Sequence, residues 1–245
     1  MRKTKQFSFR MSKKSRFYDQ ATRTRFNRIG KDYNHTYRLY EISLLPNKFS
    51  YDDDQERWEF FDYTLRDLFQ MPHARFFHPL KNCLENHGIT YAFVPLNATS
   101  ILANISAMTV LTRKNSSIDG FYLCYIATRK EHRRRGLATR LIQQIISRAL
   151  DEQSNGIKHI TLNVNTLNKV AIELYERCGW RCVEYLPRHL EPDPYHRTNH
   201  AYTFRLDLKN VKNVNDLCQN VNAVDISQSD DERSLNICNR VPTRF

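Results

Sequence analysis

An amphipathic helix between two apolar strands constrains the fold of this chain more than any other sequence feature. The helix is predicted by one apolar stripe at helical spacing, made of Leu137, Leu141, Ile142, Ile145, Ile146, Ala149 and Leu150. Asn155-Gly156 is a stop signal for it. Apolar runs at Phe121–Ala127 before the helix and His159–Val164 after it are typical of strands. This order predicts an α/β or α+β domain.

Further elements extend the order from about residue 36 to residue 208. Apolar and alternating patterns predict strands over Thr36–Leu45, Ile89–Val94, Ile101–Leu111, Trp180–Leu186 and His200–Leu208. Helical spacing predicts helices over Tyr51–Met71, Leu80–Asn86 and Asn168–Cys178. The first of these begins with Asp52–Asp54, and acidic residues suit a helix N-terminus.

The positive charge of the chain lies mainly at its N-terminal end. The 245 residues carry a formal charge of +12, and residues 1–31 contribute 11 basic and one acidic side chain. Residues 32–208 have a net charge of +2, and residues 209–245 are neutral overall. Both ends lack a steady apolar period. We therefore predict a basic disordered arm over 1–31, a folded domain over 32–208 and a flexible polar tail over 209–245.

Three interpretations of the basic arm stay open. Aromatic residues alternate with Lys and Arg, as in segments that contact single-stranded nucleic acid or an anionic membrane. Few acids together with Arg and Ser also fit a mitochondrial transit peptide. The third interpretation is a solubilising tail, or a nuclear signal around Lys13-Lys14-Ser15-Arg16. The oligomeric state is equally open.

The cysteines favour an intracellular protein in the cytoplasm or nucleus, with the mitochondrion as the alternative. The basic N-terminus lacks the apolar segment of a secretory signal, so we expect all six cysteines to be reduced. Cys178 and Cys182 form a single C-x₃-C without a second pair. We therefore expect no metal site.

A turn suited to binding phosphate precedes the amphipathic helix. It comprises Arg133, Arg134, Arg135, Gly136, Leu137, Ala138 and Thr139. A helix start leaves backbone N–H groups unpaired and carries partial positive charge. Gly136 and Ala138 let a ligand approach the backbone, and the arginines add cationic donors. The pattern fits a pyrophosphate, although a basic solvated loop would have the same composition.

The motif R-x-x-G-x-A from Arg133 to Ala138 resembles the acetyl-CoA signature of the GNAT N-acetyltransferase superfamily. Downstream, Asn168, Ala171, Tyr175 and Gly179-Trp180 are similar to the superfamily's Asn-x-x-Ala-x-x-hydrophobic-Tyr helix and the strand start that follows it. The resemblance covers about residues 120–208. It implies the GNAT fold, a mixed central sheet of six to seven strands flanked by about four helices. It also implies an acyltransferase that moves an acetyl group from acetyl-CoA to a primary amine.

Several local motifs are most similar to N-terminal α-amine acetyltransferases of the NatE and NatF kind. They are Tyr122-Leu123, Lys130-Glu131, Arg133, the strand Leu162–Val164 and the loop Glu191-Pro192-Asp193. This similarity implies a protein or peptide N-terminus as the acceptor. An α-amine has a pKa of about 7.7–8.0, so a modest base suffices to deprotonate it. The alternatives are a lysine or polyamine-like acceptor, or a GNAT-fold binding module without catalysis.

The resemblance assigns three catalytic positions. Tyr122 takes the position of a catalytic tyrosine near an ordered water. Tyr175 takes that of a general acid beside the sulfur of CoA, and packing in the core is the alternative for both tyrosines. Asn163 stands where the subgroup carries a histidine. Asn accepts no proton at neutral pH, so it would at most hold a water.

The resemblance also implies cofactor and substrate contacts. The backbone at Ile126, Ala127 and Thr128 would hold the thioester, and Asn168 would contact CoA while capping its helix. The loop Leu186–Asn199 and its surroundings would contact the acceptor through Tyr185, His189 and Tyr195. A surface hairpin loop is the alternative for that segment.

Overall fold

A mixed sheet of nine strands is the framework of the protein. The computed structural model describes residues 16–19, 24–44, 66–68, 88–99, 101, 104–113, 119–190 and 198–214. The strands are β1 (Arg16–Asp19), β2 (Thr24–Tyr33), β3 (Tyr37–Leu44), β4 (Ile89–Pro95), β5 (Ala107–Arg113), β6 (Gly120–Thr128), β7 (His159–Asn165), β8 (Arg181–Leu186) and β9 (Ala201–Asp207). Their spatial order is β1-β2-β3-β4-β5-β6-β7-β9-β8. All neighbours are antiparallel except β6 and β7.

All seven predicted strands are present, and the mixed α/β fold is confirmed. The strand predicted over Ile101–Leu111 begins later, at Ala107. Two further strands, β1 and β2, fall within residues 1–31, where the sequence predicts a disordered arm. That prediction is wrong for these strands. β2 forms backbone hydrogen bonds with the antiparallel strand β3, and the composition of residues 1–31 does not reveal such a distant partner. Residues 1–15 and 215–245 lie outside the described residues.

Two α-helices of the described chain match their predictions. Helix α1 spans Leu137–Asp151 and buries all but the last member of its predicted stripe. Helix α2 spans Lys169–Arg177. Of the predicted helix Tyr51–Met71, residues 66–68 are described and helical, and Leu80–Asn86 lies outside the described residues. No helix in the described ranges is long and apolar enough to cross a membrane.

Both faces of the sheet are buried around its centre. One face packs against α1 and α2 through a continuous apolar cluster that includes Phe93, Leu123, Ile145, Leu162 and Phe204. Strand residues that alternate with these point to the opposite face, and Tyr40, Val94, Met108 and Val110 are buried there together with Leu68. Toward β7, β9 and β8 that second face carries polar side chains.

Candidate active site

The sheet opens where its one parallel pair separates. Strands β6 and β7 pair at Gly120–His159, Phe121–Ile160 and Tyr122–Thr161. Beyond Tyr122, β6 stays paired with β5 and β7 stays paired with β9, so a gap begins between them. A β-bulge opposite Val110 and Leu111 inserts one extra residue into β6, the strand that borders the gap.

The backbone of β6 presents donors to this gap. The Arg129 N–H donates to the Ser106 carbonyl on the β5 side, at 2.9 Å. Since successive N–H groups of a strand point to opposite sides, Ala127 also points toward β5, whereas Ile126 and Thr128 point toward the gap. The sequence predicts that the backbone at Ile126, Ala127 and Thr128 holds the thioester. Of these three residues, Ile126 and Thr128 have N–H groups that can do so. The N–H of Ala127 belongs to the β5 ladder.

The phosphate turn leads directly from β6 to α1. A short 3₁₀ turn at Lys130–His132 is followed by Arg134 at φ 58° and by Gly136 at φ 76°. Gly136 is the N-cap and has no side chain to cap the helix. The first intrahelical bond runs from the Arg140 N–H to the Gly136 carbonyl at 3.0 Å. The N–H groups of Leu137, Ala138 and Thr139 precede that bond and are available to an anion.

Tyr33, at the end of β2, holds this turn in place. The Tyr33 hydroxyl donates to the Arg135 carbonyl at 3.3 Å, and the Arg140 guanidinium lies 5.0 Å from the centroid of the Tyr33 ring. A Cβ atom on Gly136 would lie 2.7 Å from the Tyr33 hydroxyl. Gly136 therefore makes room for this tyrosine as well as for a ligand. The sequence does not reveal the contact, because it joins residues about a hundred positions apart.

The arginines of the turn divide into structural and available cations. Arg135 donates to the Tyr37 hydroxyl at 2.9 Å and to the Glu131 carbonyl at 3.2 Å. Arg129 donates to the Ile105 carbonyl and pairs with Asp67. The Nε of Arg133 donates to the Thr128 carbonyl at 3.1 Å. The exposed Arg134 makes no hydrogen bond or ion pair with any residue that the structure describes. Arg134 and the outer nitrogens of Arg133 are thus free to meet a pyrophosphate.

The hydroxyl of Tyr37 forms hydrogen bonds with both His132 and Arg135. The Tyr37 oxygen lies 2.8 Å from His132 Nδ1 and accepts from Arg135, so its proton is directed to the imidazole. Burial lowers the pKa of His132, with Arg135 and Arg129 acting in the same direction and Glu131 opposing them. A neutral His132 is therefore part of the structure of the turn.

Tyr175 lies on α2 in the apolar layer beside the gap. Its side chain is 6% exposed, and its ring packs against Trp180 and Phe204. Burial raises the pKa of Tyr175, and the nearby Tyr122 hydroxyl raises it further. Tyr175 is therefore protonated at neutral pH. Both roles proposed from the sequence, core packing and general acid, are compatible with this placement.

Asn168 caps the N-terminus of α2. Its Oδ1 accepts from the Ala171 N–H at 3.2 Å, and the side chain is exposed. This bond satisfies one unpaired donor of the helix start. The Nδ2 group is left for another partner, so the cap does not conflict with a cofactor contact.

Asn163 sits in a polar row that crosses three strands. Its Nδ2 position lies 2.8 Å from His189 Nε2, and its Oδ1 position lies 3.1 Å from Thr203 Oγ1. Thr203 Oγ1 lies 3.5 Å from Glu184 Oε2. The sequence names Asn163 and His189 separately and misses Thr203 and Glu184. Only the register of β7, β9 and β8 places them together.

The other predicted substrate contacts lie elsewhere. The ring of Tyr185 stacks on His200, and its hydroxyl lies 2.7 Å from His200 Nδ1. Tyr185 follows Glu184 in β8 and so points to the opposite face of the sheet from the Asn163 row. Tyr195 lies outside the described residues. Among the residues that are described, His, Cys, Asp and Glu side chains form no group of three able to hold a metal.

A mixed sheet that opens beside an uncapped, arginine-flanked helix start is the architecture of an acyltransferase that binds CoA. The family model of the acetyltransferase (GNAT) family matches residues 39–180, more than half of the chain. The chain belongs to the acetyltransferase (GNAT) family. It is an acyltransferase that uses acetyl-CoA as its cosubstrate, as the sequence predicts. No curated protein sequence matches the chain.

Solved structures support the fold. The ribosomal-protein-S18-alanine N-acetyltransferase from Escherichia coli is 16% identical, with a TM-score of 0.51 over 69% of this chain and 94% of its own. Arabidopsis thaliana NAA60 with a bisubstrate analogue is 17% identical, with a TM-score of 0.50 over 69% of this chain and 97% of its own. The NatC complex bound to Gag peptide and CoA is 15% identical, with a TM-score of 0.50 over 69% and 98%. At these identities the likeness shows the GNAT fold alone.

Proposed function

We propose that the acceptor of the acetyl group is the N-terminal α-amine of a protein or peptide. The observation that carries this proposal is the different chemistry on the two faces of the gap. Tyr175 is buried and protonated on the α2 face, and Tyr122, Asn163 and His189 belong to the polar opposite face. An acceptor amine that approaches from the polar face meets the acetyl thioester at the gap, with CoA on the side of the phosphate turn.

The chemistry of the amine favours an N-terminus over a lysine. The α-amine has a pKa near 7.7–8.0 and the lysine amine one near 10.4, so about 300 times more neutral α-amine is present at neutral pH. The polar face offers hydroxyl, amide and imidazole groups. Such groups suit the small proton-transfer task of an α-amine.

The residues divide the work of the reaction. The N–H groups of Ile126 and Thr128 are placed to stabilise the oxyanion that develops on the acetyl carbonyl. Tyr175 donates its hydroxyl proton to the leaving thiolate. The helix start at Gly136–Thr139 and the Arg134 side chain hold the pyrophosphate.

Some of the similar structures are described together with a protein or peptide substrate. One is an N-acetyltransferase for the alanine of ribosomal protein S18, and another was solved with a bound Gag peptide. They support the acceptor class proposed for this chain. Their low identity leaves the sequence preference at the acceptor to be measured.

A matched acceptor set tests the proposal. Peptides of one sequence would be offered with a free N-terminus and no lysine, or with a blocked N-terminus and one lysine, beside a linear polyamine. CoA release and product mass would be measured. We expect a kcat/KM at least tenfold higher for the free N-terminus. Acetylation of only the lysine peptide or the polyamine would refute the proposed acceptor.

A further inference from the structure

In the polar row around Asn163, the hydroxyl of Thr203 faces more acceptor atoms than it has hydrogens to donate. Thr203 has a single hydroxyl hydrogen, yet it faces the Oδ1 position of Asn163 at 3.1 Å and Glu184 Oε2 at 3.5 Å. Both of those atoms are acceptors, so one contact would have no hydrogen. The two ends of an amide have nearly the same shape, and their partners decide which end donates.

Exchanging the two ends of the Asn163 amide gives every contact one donor and one acceptor. Its NH₂ group then donates to Thr203 Oγ1, and the Thr203 hydroxyl donates to the Glu184 carboxylate. The Asn163 oxygen accepts from Nε2–H of His189, across the 2.8 Å contact. With hydrogen on Nε2, the neutral His189 ring keeps its acceptor lone pair on Nδ1.

The row lies beside the gap, on the same face as Tyr122. Tyr122 and Thr161 are direct neighbours in the parallel pair, and Asn163 is two residues further along β7. Side chains two apart in a strand share a face and lie about 6–7 Å apart along it. The exposed ring of His189 thus stands at the point where β6 and β7 separate.

We propose that His189 accepts the proton of the acceptor amine, and that Asn163, Thr203 and Glu184 hold its ring in the required tautomer. The inference rests on the proposed transfer to an amine. His189 Nδ1 takes a proton from the ammonium form. The neutral nitrogen then bonds to the acetyl carbon and the carbon–sulfur bond breaks. The thiolate receives the Tyr175 proton. The new amide nitrogen loses its second proton, solvent returns one proton to the Tyr175 phenolate, and His189 releases the first proton to solvent. Asn163 thereby keeps a function although it cannot itself act as a base.

Other charged and titratable groups lie on the same face of the sheet as the Asn163 row. They are Tyr122 where the gap begins, His159 at the start of β7, Glu184 at the end of the row, and Arg181, Arg205 and Asp207 further along β8 and β9. Arg205 pairs with Asp207 at 2.7 Å. Arg188 is the neighbour of His189 in the loop. Glu184 is the group coupled to the imidazole through hydrogen bonds.

The pH dependence of kcat/KM tests the inference on the full chain with a peptide α-amine. We expect His189→Gln to lower kcat/KM at pH 7 up to about tenfold, because only about a tenth of an α-amine with a pKa near 8 is neutral at that pH. The loss should shrink above pH 8, where the amine is deprotonated without help. Acetyl-CoA affinity should stay at the wild-type value. His35→Asn, at an exposed histidine in the β2–β3 turn, is the control and should leave kcat/KM unchanged.

Thr203 provides a separate test of the positioning row. Thr203→Val keeps the shape of the side chain but removes the hydroxyl, so it should lower kcat/KM by no more than His189→Gln does and shift the acidic limb of the profile. Thr203→Ser should restore both. In the wild type, long-range ¹H–¹⁵N NMR of the His189 ring should show hydrogen on Nε2 in the neutral form.

The outcomes separate this inference from the proposed function. Hydrogen on Nδ1 of neutral His189, a wild-type rate in His189→Gln, or a loss of equal size at every pH would each overturn the role of His189 in an otherwise active enzyme. A wild-type protein that acetylates no amine would overturn the proposed function together with this role.

Discussion

Replacing Gly136 by alanine tests how the phosphate turn is built. Gly136 has φ 76°, and the nearest atoms to an added Cβ are the Tyr33 hydroxyl at 2.7 Å and Tyr33 Cζ at 3.9 Å. Gly156 is the matched control, because it has φ 91° and no described residue lies within 4 Å of an added Cβ. The two substitutions therefore share a conformational cost, and only the first adds a steric clash.

The expected free energies follow from these contacts. The left-handed backbone costs an alanine about 1–2 kcal/mol at either position. The clash with Tyr33 adds about 1–3 kcal/mol at Gly136, as overpacking does elsewhere. Tyr33→Phe by itself should cost about 0.5–1.5 kcal/mol, because it removes the bond to the Arg135 carbonyl. In the Gly136→Ala background the same change should cost nothing or be stabilising, because it also removes the Tyr33 hydroxyl oxygen that the added Cβ would meet.

Urea unfolding of wild type, the two single variants and the double variant gives the coupling energy. We expect about 1–2 kcal/mol of coupling, and a greater loss of stability in Gly136→Ala than in Gly156→Ala. Calorimetric titration with acetyl-CoA should show weaker binding for Gly136→Ala only. Additive effects of Gly136→Ala and Tyr33→Phe, or equal losses at the two glycines, would refute the reasoning about the hairpin contact.

Four further outcomes are expected. Tyr122→Phe should lower kcat at least tenfold while acetyl-CoA binding persists, and an unchanged kcat would remove this hydroxyl from the reaction. Gly136→Glu should abolish acetyl-CoA binding by placing an anion beside the pyrophosphate, so a wild-type affinity in calorimetry would mean that the turn binds elsewhere. The lowered pKa of His132 lets the unfolded chain bind a proton first, so the free energy of unfolding should fall as pH drops below about 6.5. His132→Gln should flatten that slope in urea titrations, and the same slope in the variant would assign it to another group. Gly120→Ala would drive a Cβ into the His159 ring and should cost about 1–3 kcal/mol in thermal unfolding; an unchanged Tm would show that the ring moves aside freely.

The features that could be predicted from the sequence are those encoded by near neighbours. The stripe of α1 and the apolar strands on either side of it have short periods, so hydrophobic burial alone specifies their type and approximate bounds. The phosphate turn was predictable for the same reason, because a helix start, a glycine and the arginines lie within a few residues. The motif around Tyr175 likewise lies on one short helix and the strand that follows it.

Strand pairing determines the position of elements and contacts that local sequence patterns do not predict. Strands β1 and β2 form because β3 supplies an edge, and the hydroxyl of Tyr33 reaches Arg135 across 102 positions of sequence. Backbone ladders and long-range side-chain contacts depend on which strands become neighbours and in what register, and that information is distributed over the whole chain.

The Asn163 row shows the same contrast, between what local sequence predicts and what strand pairing decides, at the candidate active site. The resemblance seen in the sequence put Asn163 where the similar subgroup carries a histidine, and it named His189 as a loop residue. The antiparallel register of β7 and β9 set Thr203 opposite Asn163, and the loop brought His189 back across 26 positions. A side chain becomes a base or a support through the partners that folding places around it, and here those partners come from three strands and one loop.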